Sequence, residues 1–94
     1  NLDGSDALSE VAIRSRLRGF LLSAFYVPNA EDVSDDTSLL EAGIVDSTGI
    51  LELLAFLQSE FGVQVKDTEV IPANFDSIAR QTRFVARKLG TSPA

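Results

Sequence analysis

The chain contains no cysteine and no histidine among its 94 residues. Without cysteine it can form no disulfide framework and offers no thiolate nucleophile. Without histidine it lacks the commonest zinc ligand and the commonest general base at neutral pH. Unaided catalysis is therefore poorly provided for. Long apolar runs are missing too: nothing approaches the roughly 20 residues of a membrane span, and residues 1–10 have neither the basic start nor the apolar stretch of a signal peptide. These absences predict a soluble, cytoplasmic protein. The initiator methionine is also absent, and the small polar ends "NLDGSD" and "GTSPA" read as flexible, processed or artificially appended tails. With residues 1–7 and 90–94 set aside, residues 8–89 are expected to form one domain, because a chain of this length with 45% apolar content suits a single core.

Positive charge is scarce where acids are dense. Between Glu31 and Asp76 eleven acids stand against Lys66 alone, while Arg14, Arg16 and Arg18 lie before this segment and Arg80, Arg83, Arg87 and Lys88 after it. An acidic centre repels nucleic acid and anionic lipid and steers in basic partners, so neither nucleic acid nor membrane is an expected partner. The run "EDVSDDTSLLE" lacks the glycine that an EF-hand loop requires at its sharp turn, and no metal site is expected there.

Apolar spacing predicts helices. From Ser9 to Tyr26, Ile13, Leu17, Phe20, Leu21 and Ala24 recur every three or four residues until Pro28 halts the run. Residues 28–46 then read as a long loop that Val33, Leu39, Leu40, Ile44 and Val45 can pin to a core; loops of that length in small domains tend to be functional. The second helix is the clearest, with Ile50, Leu53, Leu54, Leu57 and Phe61 at i, i+3, i+4, i+7 and i+11 and Gly62 at its end. A turn within "VKDTEVIP" leads to Pro72, and a last helix starts near Asn74 or Asp76, carries Ile78, Thr82, Val85 and Leu89 at helical spacing and closes at Gly90. The expected architecture is all-α: a small bundle of three main helices plus one short helix, with a long loop between the first two.

Two Asp-Ser pairs, Asp46-Ser47 and Asp76-Ser77, stand at expected helix starts. With Ile50, Leu54 and Leu57 turned to the core, the second helix presents Thr48, Leu51, Glu52, Ala55 and Ser59 outward, an apolar and acidic docking face beneath Ser47. The last helix presents Arg80, Arg83 and Arg87, an ordinary charged surface, so Asp76-Ser77 reads as a cap. Gly49 breaks local preference, since glycine in a helix costs about 1 kcal/mol relative to alanine; its missing side chain is expected to let a surface or substituent lie close to the Ser47 hydroxyl. A helix start also favours a phosphate through its free N–H groups and dipole. Ser47 is thus well placed to carry a phosphodiester.

The segment "EAGIVDSTGILELLAFLQSEFGVQV" resembles the central part of acyl carrier proteins, including the peptidyl and D-alanyl carriers, and the likeness extends from about Leu8 to Leu89. It implies an acyl-carrier-like fold and a stand-alone, monomeric carrier without turnover of its own. It also implies that Ser47 is esterified by 4′-phosphopantetheine from coenzyme A, with Asp46 helping to present it to a phosphopantetheinyl transferase, and that the arm's thiol holds acyl or aminoacyl cargo as a thioester. Implied partners are that transferase, a loading enzyme (ligase, adenylation enzyme or acyltransferase) and a downstream synthase or transferase, docking through Thr48, Leu51, Glu52 and Ala55. Thr48-Gly49 after the serine, in place of the leucine of many fatty-acid carriers, is closer to carriers loaded by adenylate-forming ligases.

The residues leave a second function open, an unmodified helical adaptor that binds a basic partner through Glu52 and its neighbours. A hydrolase would need a base to activate Ser47, and none is at hand. Fatty acyl, polyketide and aminoacyl cargoes all fit the same scaffold.

Overall fold

The computed structural model describes residues 9–90; the proposed tails lie outside this range, apart from Gly90, and so does Leu8. Among the described residues the architecture is all-helical, with α1 at Glu10–Ala24, α2 at Ser47–Phe61, α3 at Pro72–Phe75 and α4 at Ile78–Leu89. Two 3-10 turns, Ala30–Asp32 and Asp67–Glu69, punctuate the connections. No described helix is long and apolar enough to cross a membrane.

α1 starts where the Ser9 hydroxyl accepts the Ala12 amide at 3.2 Å, the usual way a first-turn donor is satisfied. Ile13, Leu17 and Leu21 form its buried stripe. The helix ends two residues short of the expected Tyr26: Phe25 is already extended, and Ala24 is exposed rather than inward. α2 buries Gly49, Leu53, Leu57 and Phe61 at four-residue spacing. Its core axis therefore runs through Leu53 and Leu57, and Ile50 and Leu54, expected to face fully inward, are half-buried flanks. Gly62 terminates α2 at φ 70°, a left-handed conformation that glycine adopts without the Cβ penalty.

The expected last helix is divided in two. Pro72 occupies the first turn of α3, whose four residues end at Phe75, and Ser77 then caps α4 separately. The buried Gln81 of α4 explains how the two pieces stay together, because its Nε2 donates to the Phe75 carbonyl at 2.8 Å. α1 packs along α4, and α2 meets α1 through the stacked rings of Phe20 and Phe56, centroids 4.1 Å apart.

The long loop is held from both sides. Its Val33, Leu39 and Val45 are buried, Ile44 is half-buried and Leu40, expected to pin the loop, is exposed. Asp35 receives Arg14 and Arg18 of α1 at 3.3 and 3.2 Å, while its carbonyl accepts the Ala79 amide of α4 at 2.8 Å. Exposed ion pairs contribute little stability individually; here they add direction to a segment already anchored by three buried side chains.

Candidate functional site

The first turn of α2 decides how Ser47 is displayed. Asp46, not Ser47, is the N-cap: its Oδ1 accepts the Gly49 amide at 2.7 Å, and its carbonyl accepts the Ile50 amide at 2.9 Å. Ser47 is the first helical residue and is exposed. Among the described residues its hydroxyl has no hydrogen-bond partner. Capping is accomplished without it, which leaves the oxygen free for chemistry supplied from outside.

The second pair has the opposite assignment. Ser77 is 4% exposed and its Oγ accepts the Arg80 amide at 3.1 Å. Asp76 does more than the cap expected of this pair: Oδ2 accepts the Ser38 hydroxyl at 2.6 Å, Oδ1 accepts the Leu40 amide at 3.0 Å, and its carbonyl accepts the Leu39 amide at 2.7 Å. The carboxylate thereby staples the long loop to the start of α4. Arg80, Arg83 and Arg87 are exposed, as their spacing implied.

Beside Ser47 lies a half-open cavity of about 160 Å³. Leu39, Val45, Ile50, Val70, Ile71 and Phe75 make its walls almost wholly apolar, with Asp46 and Ser47 also lining it. Leu40 and Ile71, 49% and 46% exposed, line the same opening. Helical projection of the sequence could not find these two, because they sit in irregular segments brought next to α2 only by tertiary packing. The expected docking residues Thr48, Leu51, Glu52 and Ala55 are all exposed on α2, as is Ser59, with Leu51 66% open. Leu40, Ile71 and Leu51 together make the surface around the serine more apolar than α2 alone suggested.

Gly49 does not serve the purpose expected of it. It is buried, and a Cβ there would lie 2.7 Å from Phe25 Cε1. The missing side chain makes room for an aromatic ring of this same chain, not for a substituent on Ser47. One carboxyl near this end of the molecule is perturbed: Glu69 is held below the usual carboxylate range, first by the Lys88 ammonium at 2.8 Å and then by the Lys66 amide at 2.9 Å. That carboxylate is engaged in the fold. Among the described residues no three His, Cys, Asp or Glu side chains gather as a metal site would require.

An exposed, unbonded hydroxyl at a helix start beside an apolar trough fits covalent attachment of a long phosphodiester arm. Comparison with known proteins agrees at the level of family. The family model for the phosphopantetheine attachment site matches residues 15–85. A probable acyl carrier protein, PigG, from a Serratia species is 31% identical over 75 residues, covering 80% of this chain and 86% of its own. Aminoacyl carrier protein 2 of Bradyrhizobium diazoefficiens is 30% identical over 60 residues, covering 64% of this chain and 66% of its own. Among solved structures, a chain in a crystal structure described as an FAD-dependent dehydrogenase superposes with a TM-score of 0.66 at 29% identity. That match covers 73% of this chain and 97% of the other, so the matched chain is itself shorter than this one. The chain belongs to the phosphopantetheine attachment site family, and is a carrier protein that other enzymes act upon rather than a catalyst.

Proposed function

We propose that Ser47 is the residue that carries 4′-phosphopantetheine, and that residues 8–89 are the carrier unit. The observation that supports this most strongly is the contrast between the two serines: Ser47 is exposed with a free hydroxyl, whereas Ser77 is buried and committed to its cap. In the transfer, Ser47 Oγ forms a bond to the phosphorus of coenzyme A that bears the pantetheine. The bond from that phosphorus to the bridging oxygen breaks, adenosine 3′,5′-bisphosphate leaves, and the serine proton passes to a base of the transferase, since this chain has no histidine to accept it. Once attached, the group supplies the thiol that this cysteine-free chain lacks.

The protein's own residues bind and orient. Asp46 holds the first turn of α2 and offers its remaining carboxylate oxygen as a mark for the transferase. Thr48, Leu51, Glu52 and Ala55, widened by Leu40 and Ile71, form the docking face for a phosphopantetheinyl transferase, a loading ligase or acyltransferase, and a downstream synthase or transferase. Acidic steering followed by apolar contact suits partners with basic rims. The carrier acts as a cytoplasmic monomer.

Aminoacyl cargo, loaded as an adenylate by an ATP-dependent ligase, is the class favoured by Thr48-Gly49 after the serine and by the name of the Bradyrhizobium relative. Intact-mass measurement after incubation with coenzyme A and a broad-specificity phosphopantetheinyl transferase tests the site. Parent and Ser77→Ala should gain one phosphopantetheine and Ser47→Ala none. Modification of the Ser47→Ala chain would overturn the assignment, and no modification of the parent would favour an unmodified adaptor.

A further inference from the structure

Three groups share a small space under the first turn of α2: the Phe25 ring, the Gly49 Cα and the Asp46 carboxylate. A Cβ at position 49 would meet Phe25 Cε1 at 2.7 Å, Phe25 Cζ at 3.5 Å and Asp46 Oδ1 at 3.3 Å. That Oδ1 is the oxygen that accepts the Gly49 amide at 2.7 Å. Any displacement of the ring toward the helix therefore presses on the backbone of the turn that begins with Ser47 and on the cap of the residue before it.

The ring is backed by others. Phe25 meets Phe20 edge-on at 5.9 Å, Phe20 stacks on Phe56 at 4.1 Å, and Phe56 meets Phe61 edge-on at 5.9 Å. Four phenylalanines thus run from the first turn of α2 to its last, alternating edge and face contacts of the kind aromatic pairs prefer. Phe25 occupies the first non-helical position after α1, with its amide bonded to the Leu21 carbonyl at 3.1 Å, so its backbone is fixed as well as its ring. Phe61 belongs to the buried core and Phe20 and Phe56 pack against it, whereas Phe25 stands at the half-buried end of the row, against the first turn of α2.

We propose that Phe25 is a positioning residue for the modification of Ser47. Its ring abuts Gly49 and sets the place and tilt of the first turn of α2, and the Asp46 cap transmits that setting to the residue that follows it. Glycine is required at 49 because only a bare Cα admits the ring. This inference rests on Ser47 being the modified residue. It assigns to Phe25 and Gly49 an effect on alignment of the hydroxyl, distinct from the capture of the transferase by Leu51 and Glu52. Misplacement of a reacting group by about 1 Å can lower a rate on the order of a hundredfold, so a ring held against a backbone is a suitable device.

The test is the kinetics of coenzyme A-dependent modification for the parent, Gly49→Ala, Phe25→Ala, and Phe25→Leu combined with Gly49→Ala, each followed by intact mass and by thermal unfolding. Gly49→Ala should lower kcat by about tenfold to a hundredfold with KM for the carrier little changed. The double variant, in which a shorter side chain makes room for the new methyl group, should recover most of the lost kcat. Phe25→Ala, which substitutes no residue of α2, should also lower kcat, and it carries the test if Gly49→Ala does not fold. Parent-like kcat in Phe25→Ala or Gly49→Ala would overturn the proposal, as would a double variant no faster than Gly49→Ala. A Ser47→Ala control separates the two levels: its modification would remove the site itself, whereas an inert control beside a parent-like Gly49→Ala would remove only the role of Phe25.

Discussion

Asp46-Ser47 and Asp76-Ser77 are the same dipeptide at the starts of two helices, yet acid and hydroxyl exchange tasks between them. At α2 the acid caps and the hydroxyl is left over; at α4 the hydroxyl caps and the acid reaches across to the loop. Which residue caps depends on where the helix begins, and the start differs by one position: Ser47 is already helical, whereas Ser77 is still extended at φ −149°. A shift of one residue thus turns a structural dipeptide into a displayed one. The general lesson is that a motif of two residues acquires meaning from the register of the helix it precedes.

That contrast breaks most visibly if the serines are exchanged for alanine. Ser47→Ala should abolish modification and leave stability within about 0.5 kcal/mol of the parent, as expected of a surface change that removes no cap. Ser77→Ala should do the reverse, retaining modification while losing about 0.5–2 kcal/mol of cap energy by chemical denaturation. A Ser47→Ala variant as destabilised as Ser77→Ala would show that both hydroxyls serve the fold.

Outward and inward faces of α2 should part almost as sharply. Leu53→Asp places an unpaired charge at a position with no solvent exposure and should abolish the helical circular-dichroism signal of the folded domain. Leu51→Asp should keep that signal and weaken association with the loading enzyme. Equal loss of structure in both would mean that Leu51 supports the core.

The two acids offer a finer division. Asp76→Ala strands the Ser38 hydroxyl and the Leu40 amide, and should cost about 1–3 kcal/mol together with faster amide exchange at Leu39 and Leu40. Asp46→Ala should cost about 0.5–2 kcal/mol and slow modification, with loop exchange unchanged.

The smallest effect concerns acids that touch no Asp-Ser pair. Glu69 has its carboxyl held below the ordinary value of 4.5 by Lys88 and the Lys66 amide. As pH falls the unfolded chain therefore takes up this proton before the folded one does, and the stabilisation by Glu69 is whole above pH 4.5 and is lost as pH drops through the lowered folded value. Thermal unfolding of Glu69→Gln should differ slightly from the parent at pH 7 and converge with it in acid. Glu52→Lys, by contrast, should leave the melting curve alone, slow association with the loading enzyme and flatten its dependence on salt.

Much of this was legible in the chain itself. The four-residue recurrence in "LELLAFLQSEF" announced α2, and the outward set Thr48, Leu51, Glu52, Ala55 and Ser59 followed from the same projection. Periodicity alone places the core axis toward Ile50 and Leu54 because it ranks residues around a helix without knowing which neighbour arrives; the rings of α1 and the loop settle that. Gly49 is out of place by local preference, but its cause, Phe25, lies 24 positions away and leaves no trace in local spacing. Local propensity makes Asp76 part of a cap because it sees the helix that follows an acid and not the loop that comes back to it. What sequence spacing missed was in each case a contact between distant segments.

The staple at Asp76 also bears on the order in which the site comes into being. The wall of the cavity beside Ser47 is held by bonds from residues 35–40 to residues 76–79, so it cannot close while the chain ends before that point. Closing so long a loop carries an entropic penalty that the docking of α4 helps to repay. A nascent chain emerging from its N-terminus would expose Ser47 and all of α2 well before the surroundings of the serine are in place. A transferase that reads those surroundings would therefore tag finished molecules in preference to incomplete ones, and the covalent mark would double as a certificate of folding.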